Sequence, residues 1–197
     1  MAIIALIASA VLVGIDQLLK AIVVANMVEF QSIPCIPGLL NWTYILNEGA
    51  AFGILPNQRW FFIVLTIVLI GICLGLLFCR AARSSKWITV TLSLIIAGGV
   101  GNLIDRIATG KVVDYISVSF FPPIFNFADC CVVIGAIMAV IYFLILEPRK
   151  AKLEAKATVE AVASQESNAD PVKAEESLQG ATAEQNSDEA NEELPKE

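Results

Sequence analysis

The fold of this chain is decided by the stretch WITVTLSLIIAGGVGNLIDR (residues 87–106), in which an apolar run passes directly into a polar cluster. Two further polar clusters follow it, VVDY (112–115) and FNFAD (125–129). Residues 1–146 contain six acidic side chains, and three of them lie in these clusters. An ionisable group is costly to keep beside a membrane-spanning run, so a functional role is the first hypothesis for each of the three.

Composition places the chain among membrane proteins and removes several classes of enzyme. Of the 197 residues, 57% are hydrophobic, and the mean hydropathy is +0.73, whereas soluble domains are nearer half apolar. Histidine is absent, which excludes Ser-His and Cys-His nucleophile pairs and HExxH zinc sites. Five cysteines without a CxxC pattern indicate packing rather than a disulfide framework. Acid–base chemistry must therefore rest on carboxylates, lysine, tyrosine or water.

Four apolar runs are long enough to cross a bilayer, which takes about 20 residues. They extend from about Ala2 to Val28, from Trp60 to Phe78, from Trp87 to Ile104, and from about Phe127 to Leu146. The first run lacks a basic start and contains Asp16 and Lys20, so we expect a retained span rather than a cleaved signal. The sequence thus predicts an all-α polytopic membrane protein with four transmembrane helices.

Lysine and arginine predict the orientation of these spans. Arg80, Arg83 and Lys86 lie between the second and third spans, and a second basic group follows the fourth, namely Arg149, Lys150 and Lys152. The positive-inside rule makes both groups, and with them both termini, cytoplasmic. Segments 29–59 and 105–126 then lie outside, and the polar residues near the outer ends of three spans share one depth.

The outer segments and the C-terminus carry two smaller features. LNWTYIL (40–46) is rich in β-branched and aromatic residues and predicts a strand, and NEGAAFGIL (47–55) adds small residues after it. We expect a small β-rich extracytoplasmic cap that rests on the membrane. From Glu147 onward there are 13 acidic and 6 basic residues and no aromatic one. This composition predicts a disordered acidic cytoplasmic tail over 150–197, after a membrane domain over 1–149.

Two sets of polar residues have a supporting role in this interpretation. Asp16 and Lys20 are four residues apart in the order that favours an ion pair on one helix face. The pair either stabilises two charges within the span or braces a site at the outer surface. Asn102 and Arg106 are also four apart, with Asp105 beside the arginine, and we expect all three to form a helix-end network that supports the site.

Asp114 and Asp129 are the candidates for the chemistry itself. Asn126 is placed to cap the helix whose first turn holds Asp129, where the helix dipole favours a carboxylate. Two carboxyl groups a few ångströms apart cannot both ionise easily, so one would keep its proton while the other activates water. From the residues alone, magnesium binding and a proton relay remain alternatives. Ion-coupled transport is a further one, although transporters tend to hold ionisable groups near the midplane.

Five strings together resemble the lipoprotein signal peptidases (signal peptidase II) of bacteria. In the family's order they are DQLLK (16–20), NEGAAFG (47–53), GNLIDR (101–106), VVDY (112–115) and FNFAD (125–129). The resemblance covers the chain from about residue 10 to 146. It implies an intramembrane aspartyl endopeptidase of the bacterial inner membrane that needs no cofactor or metal. Such an enzyme cleaves prolipoproteins just before a diacylglyceryl-modified cysteine.

By the same resemblance, Asp114 and Asp129 are the catalytic pair, at the outer leaflet. The substrate-binding or supporting positions it implies are Asp16, Lys20, Asn47, Gly49, Asn102, Asp105, Arg106, Asn126 and Ala128. The expected partners are prolipoproteins and membrane lipid, without nucleic acid, and the enzyme is expected to be monomeric. Tyr115 stands where phenylalanine is commoner in the family, and the link between the two aspartates is short.

Overall fold

The structure is a computed structural model that describes residues 2–49, 58–79 and 85–167. Within these residues, four helices are long and apolar enough to cross a membrane. Helices α1 (Ala2–Asn26), α2 (Arg59–Phe78) and α3 (Lys86–Ala108) are followed by α4 (Phe127–Ile141), which continues through a π-helical turn at Tyr142–Leu146. The four predicted spans are confirmed, with small shifts at their ends.

A four-stranded antiparallel sheet accompanies the helices. Its strands are β1 (Ser32–Ile36), β2 (Leu40–Asn47), β3 (Val112–Val118) and β4 (Phe121–Phe125), paired in that order. β2 confirms the strand predicted over 40–46. The sequence did not predict the other three. Asp114, expected in the outer loop that joins the third and fourth spans (105–126), instead lies in strand β3. Prolines obscured β1 and β4, but both are edge strands, where a missing backbone donor is tolerated.

Helix α3 lies at the centre of the helical part and packs against α1, α2 and α4. Glycines let α4 approach it closely. A Cβ atom at Gly98 would collide with the carbonyl oxygen of Ala128, and one at Gly135 would come within 2.7 Å of Ile95 Cγ1. Small residues serve this purpose at helix contacts in membranes, where close backbone packing replaces the hydrophobic effect. α3 and α4 therefore hold their polar ends in a tightly defined relation.

The chain divides into two compact units, the first of which ends at Leu146. The second contains α5 (Glu147–Ser167), which differs from the disorder predicted from residue 150. Alanine, glutamate and lysine are strong helix formers, so this polar segment can be helical without burying a core. Other predictions lie outside the described residues: the tail from 168 to 197, Arg80 and Arg83 of the basic cluster, and positions 50–53 of NEGAAFG.

Candidate active site

Lys20 is the cation that three buried polar residues share. Its Nζ lies 2.8 Å from Asp16 Oδ2, 2.9 Å from Asp105 Oδ2 and 3.0 Å from Asn102 Oδ1. All four residues are buried. An ammonium group has three donors and no acceptor, so these three contacts satisfy it fully. The Asp16–Lys20 pair predicted from the sequence is present, and Asp105 joins it from α3.

The contact with Lys20 also determines which way the amide of Asn102 points. Because the ammonium can only donate, it faces the amide oxygen of Asn102, which accepts a second bond from Asn126 Nδ2 at 3.0 Å. The amide nitrogen of Asn102 is thereby directed to Asp129 Oδ1, 2.7 Å away. Lys20 thus acts on Asp129 through one intervening side chain.

Asp129 lies in the first turn of α4 and forms a reciprocal cap with Asn126. The backbone nitrogen of Asp129 donates to Asn126 Oδ1 at 2.8 Å, and that of Asn126 donates to Asp129 Oδ2 at 3.1 Å. The N-cap role expected of Asn126 is therefore seen in the structure. Both carboxylate oxygens of Asp129 accept a hydrogen bond, and the helix N-terminus adds a favourable dipole.

Two other segments bind the remaining free N–H groups at the start of α4. The backbone nitrogen of Ala128 donates to Asp16 Oδ1 at 3.0 Å, and that of Phe127 donates to the Tyr115 hydroxyl at 3.3 Å. The first turn of a helix otherwise leaves such donors without intrahelical partners. Helix α1 and strand β3 consequently hold the turn that carries Asp129.

Asp114 is 2% exposed and is held by two amides. Asn126 Nδ2 donates to its Oδ1 at 2.7 Å, and Asn47 Nδ2 donates to its Oδ2 at 2.8 Å. Asn47 is itself oriented, because its Oδ1 accepts a bond of 2.9 Å from the backbone nitrogen of Gly49. The pKa of Asp114 is raised from 3.8 to about 7, first by burial and next by the negative charge of Asp129, while these amide bonds oppose the rise.

Asp114 and Asp129 line one cavity of about 300 Å³. Asn126 joins them, since its amide nitrogen donates to Asp114 and its amide oxygen caps the helix of Asp129. The rest of the wall is largely apolar. Three helices contribute Thr66, Leu69, Gly99, Val132 and Val133 among others, and strands β3 and β4 contribute Val112, Ile124 and Phe125. The cavity therefore combines a polar end, where charge is held, with an apolar end.

Arg106 lines the same cavity. Its guanidinium lies 5.0 Å from the ring centroid of Phe62 and donates to the carbonyl oxygen of Gly49 at 3.3 Å. An arginine stacked on an aromatic ring keeps its charge while its orientation is restricted. Arg106 thus brings positive charge to the aspartates and connects α3 to the segment that follows β2.

The structure brings all eleven predicted site residues into this network and adds others that the sequence reasoning missed. Gln17 Nε2 bonds to Asp105 Oδ1 at 3.0 Å and to the carbonyl oxygen of Gly101 at 3.1 Å. Gly101 must be small, because a Cβ there would lie 2.5 Å from Asp16 Oδ2. Gln17 lies in the string DQLLK and Gly101 in GNLIDR. Their position in these two strings is the sequence feature that could have indicated them.

The arrangement suits acid–base chemistry better than metal binding. Within the described ranges, no group of three or more His, Cys, Asp or Glu residues could hold a metal ion. The four carboxylate oxygens of Asp114 and Asp129 each accept a hydrogen bond from an amide or backbone nitrogen. These bonds take one of the two lone pairs on each oxygen, so a cation would share every ligand atom with a protein donor. Two carboxyls in one cavity, one favoured as the ion and one as the acid, can instead activate water and polarise a carbonyl group.

Comparisons with known proteins point to one family. A family model described as signal peptidase (SPase) II matches residues 8–145. The lipoprotein signal peptidase of Desulfitobacterium hafniense (strain DSM 10664 / DCB-2) is 39% identical over 143 residues, which are 72% of this chain and 93% of the relative. That of Halothermothrix orenii is 44% identical over 132 residues, 67% and 89% of the two chains. That of Streptococcus thermophilus (strain CNRZ 1066) is 44% identical over 131 residues, which are 66% of this chain and 85% of the relative.

Two solved structures share the fold. One is a bacterial membrane enzyme determined by the in meso method at 2.3 Å resolution, with a TM-score of 0.67 and 36% identity over 71% of this chain and 87% of that chain. The other was determined by the same method at 1.9 Å resolution. It gives a TM-score of 0.66 and 35% identity, over 72% of this chain and 92% of that chain. The family match, residues 8–145, includes every residue of the site and ends before α5.

Proposed function

The chain belongs to the signal peptidase II family and is a membrane protease that removes signal peptides from prolipoproteins; we propose that it works as an aspartyl endopeptidase with Asp114 and Asp129 as its catalytic pair. The observation that carries the proposal is the shared cavity of these two carboxyl groups, joined through Asn126. Cleavage falls just before the cysteine that bears the diacylglyceryl group.

The environments of the two aspartates support different roles. Asp129 is the base, because its ionised form accepts bonds from Asn102 and the Asn126 backbone at the N-terminus of a helix. Asp114 is the acid, because burial and the charge of Asp129 raise its pKa to about 7. Carboxyl pairs whose environments separate their protonation states divide acid and base work in this way.

The reaction then proceeds in two steps that restore both groups. Asp129 takes a proton from water while the water oxygen attacks the scissile carbonyl carbon, and Asp114 gives its proton to the carbonyl oxygen. When the tetrahedral intermediate collapses, the C–N bond breaks and the leaving nitrogen takes the proton from Asp129. A hydroxyl of the intermediate returns its proton to Asp114 as the C=O bond forms again. The chemistry needs no metal and no organic cofactor.

The cavity wall supports selection of a lipid-modified substrate. Leu69, Val132 and Val133 offer apolar surface next to the aspartates. Burial of hydrocarbon contributes about 0.8 kcal/mol per methylene group, so diacylglyceryl chains beside the cleavage site add much of the binding energy. The peptide crosses the carboxyl pair while the chains remain in an apolar environment.

The proposed setting is the bacterial inner membrane, with both termini in the cytoplasm and the site at the outer leaflet. Lys86 at the start of α3, with Arg149 and Lys152 after α4, supports this orientation. Helix α3 then runs outward and carries Asn102, Asp105 and Arg106 to the outer interface. We expect the enzyme to act as a monomer, since one chain supplies every group of the proposed mechanism.

The test is a cleavage assay with purified protein. A prolipoprotein carrying the diacylglyceryl group and its unmodified form are incubated separately, and the products are identified by mass spectrometry. We expect cleavage of the modified substrate alone, with the modified cysteine as the new N-terminus, and the same rate in excess chelator. The Asp114→Asn protein, purified in parallel, controls for contaminating proteases. Equal cleavage of both substrates, or a rate abolished by chelator and restored by magnesium or zinc, would overturn the proposal.

A further inference from the structure

A second cavity, also of about 300 Å³, lies between the end of α1 and the sheet. We refer to it as the α1 groove. Leu19, Ile22 and Asn26 line it from α1, and Ile33, Trp42 and Tyr115 line it from the first three strands. Within the described residues, its lining contains no charged side chain. Asn26 is also partly satisfied, because its amide nitrogen donates to the carbonyl oxygen of Ile22 at 2.7 Å.

The α1 groove and the candidate active site lie on opposite faces of β3. Successive side chains of a strand point to opposite faces. Asp114 lines the cavity of the active site, and Tyr115, the next residue, lines the α1 groove. Substrate chains attached beside the scissile bond would enter on the Asp114 face, so they are not the natural occupants of the groove.

The groove continues a lipid-facing surface. Val11, Ile15, Leu18 and Ile22 are spaced by four, three and four residues, which places them on one side of α1, and all four are exposed. Because α1 is a membrane-spanning helix, this stripe contacts lipid chains along its length. Ile22 belongs both to the stripe and to the groove wall. An acyl chain that lies along the stripe can therefore extend directly into the groove.

We propose that one acyl chain of a bilayer phospholipid occupies the α1 groove. Apolar cavities do not retain water, and the stripe along α1 supplies hydrocarbon at the groove's mouth. The described lining contains no charged side chain, so a phospholipid chain fills the space without burying an ion. This proposal does not depend on the cleavage activity.

Such a chain would contact Tyr115, which links the strand of Asp114 to the start of the helix that carries Asp129. Tyr115 follows Asp114 in β3, its ring stacks on Trp42 at 5.8 Å, and its hydroxyl accepts the bond from the Phe127 nitrogen at the start of α4. A filled groove supports this ring from the side away from the active site. The lipid thereby helps to hold β3 and the start of α4 in their relative positions.

Trp42 provides a direct probe, since bromine atoms on an acyl chain quench tryptophan fluorescence on contact. The chain has three tryptophans, and Trp60→Phe with Trp87→Phe leaves Trp42 alone. The full-length protein is reconstituted in phosphatidylcholine with an increasing fraction of dibrominated chains. We expect quenching of Trp42 to rise in proportion to the brominated fraction, as for one site. A protein that keeps only Trp60, which is 72% exposed, should give the steeper, curved profile of a side chain surrounded by many lipids.

Two further variants in the Trp42-only protein separate the groove from general lipid contact. Leu19→Phe narrows the groove, whereas Leu18→Phe adds the same volume on the exposed stripe beside it. We expect Leu19→Phe to reduce the quenching of Trp42 at least twofold and Leu18→Phe to leave it unchanged. The proposal is overturned if both variants quench like the parent, or if Trp42 is not quenched at all. Should Leu19→Phe fail to fold, the shape of the Trp42 profile alone decides, and a curve like that of Trp60 counts against a single site.

Discussion

Lys20 and Asp129 do not touch, yet the structure links them through a single side chain. Lys20 Nζ donates to Asn102 Oδ1 at 3.0 Å, and Asn102 Nδ2 donates to Asp129 Oδ1 at 2.7 Å. The amide cannot turn over without placing two donors face to face, which is costly in a buried site. The positive charge on α1 therefore keeps a donor pointed at a carboxylate on α4.

Replacement of either aspartate by asparagine should abolish cleavage. Asp114→Asn and Asp129→Asn each remove one ionisable partner from the pair, and we expect rates at least about 10³-fold lower for each. The double variant should be no slower than either single one, because residues that act as a unit have non-additive effects. Cleavage kinetics with equal amounts of membrane-inserted protein provide the measurement. Substantial activity in either single variant would remove that residue from the catalytic role.

The rate should fall at alkaline pH as Asp114 loses its proton. Because the pKa of Asp114 is raised to about 7, the protonated acid persists through neutral pH, and above that value the rate should decrease about tenfold per pH unit. The profile belongs to the coupled pair rather than to one residue. The measurement is kcat/KM as a function of pH, at a lipid concentration above which the rate no longer changes. A rate that is constant up to pH 9 would contradict the assignment of Asp114 as the acid.

The same raised pKa predicts a pH-dependent stability. Between about pH 4 and 7 the folded protein binds more protons at Asp114 than the unfolded chain does, so its contribution to the free energy of unfolding decreases as the pH rises. The change is at most about 1.4 kcal/mol per pH unit. Thermal unfolding of wild-type and Asp114→Asn proteins in detergent isolates this contribution as a difference. The wild type should lose stability relative to the variant from pH 4 to pH 7, and parallel curves would show that burial leaves the pKa unchanged.

Loss of the Lys20 charge should destabilise the protein strongly. Lys20→Met leaves Asp16 and Asp105 buried without a cation, and breaking a buried pair in this way costs about 3–5 kcal/mol. Thermal unfolding in detergent measures the loss. Combining Lys20→Met with Asp105→Asn should recover part of the stability, since one uncompensated charge is removed, but should not restore cleavage. An unaltered melting temperature in Lys20→Met would show that the cluster is not buried as described.

Two adjacent glycines should respond differently to alanine. A Cβ at Gly98 meets the backbone oxygen of Ala128, whereas one at Gly99 lies 3.3 Å from Ile70 Cγ1, a side chain that can move. Gly98→Ala should therefore lower the free energy of unfolding by about 1–3 kcal/mol and impair cleavage by displacing α4. Gly99→Ala should fold like the wild type and mainly raise KM, because Gly99 lines the cavity. Equal melting temperatures for the two variants would contradict this division.

Several parts of the structure followed from the sequence alone. The four spans could be predicted from long, predominantly apolar runs, because a bilayer requires about 20 such residues whatever the neighbours are. The Asn126 cap and the Asp16–Lys20 pair could also be predicted, since both depend on residues three or four apart in one helix. The strings around Asp114 and Asp129 identified the two candidates by resemblance.

Only the tertiary structure decided how these residues cooperate. Strand β3 pairs with β2, which is distant from it in sequence. Local composition therefore did not indicate that Asp114 lies in a strand. Three contacts join separate elements: Lys20 with Asp105, Lys20 with Asn102, and Phe127 with Tyr115. Hydrogen bonds between residues far apart in sequence depend on how the helices and sheet pack, and no spacing rule encodes them. The sequence alone identified the candidate carboxyl groups, and the packing of the helices and the sheet around them determined the different environments of the two.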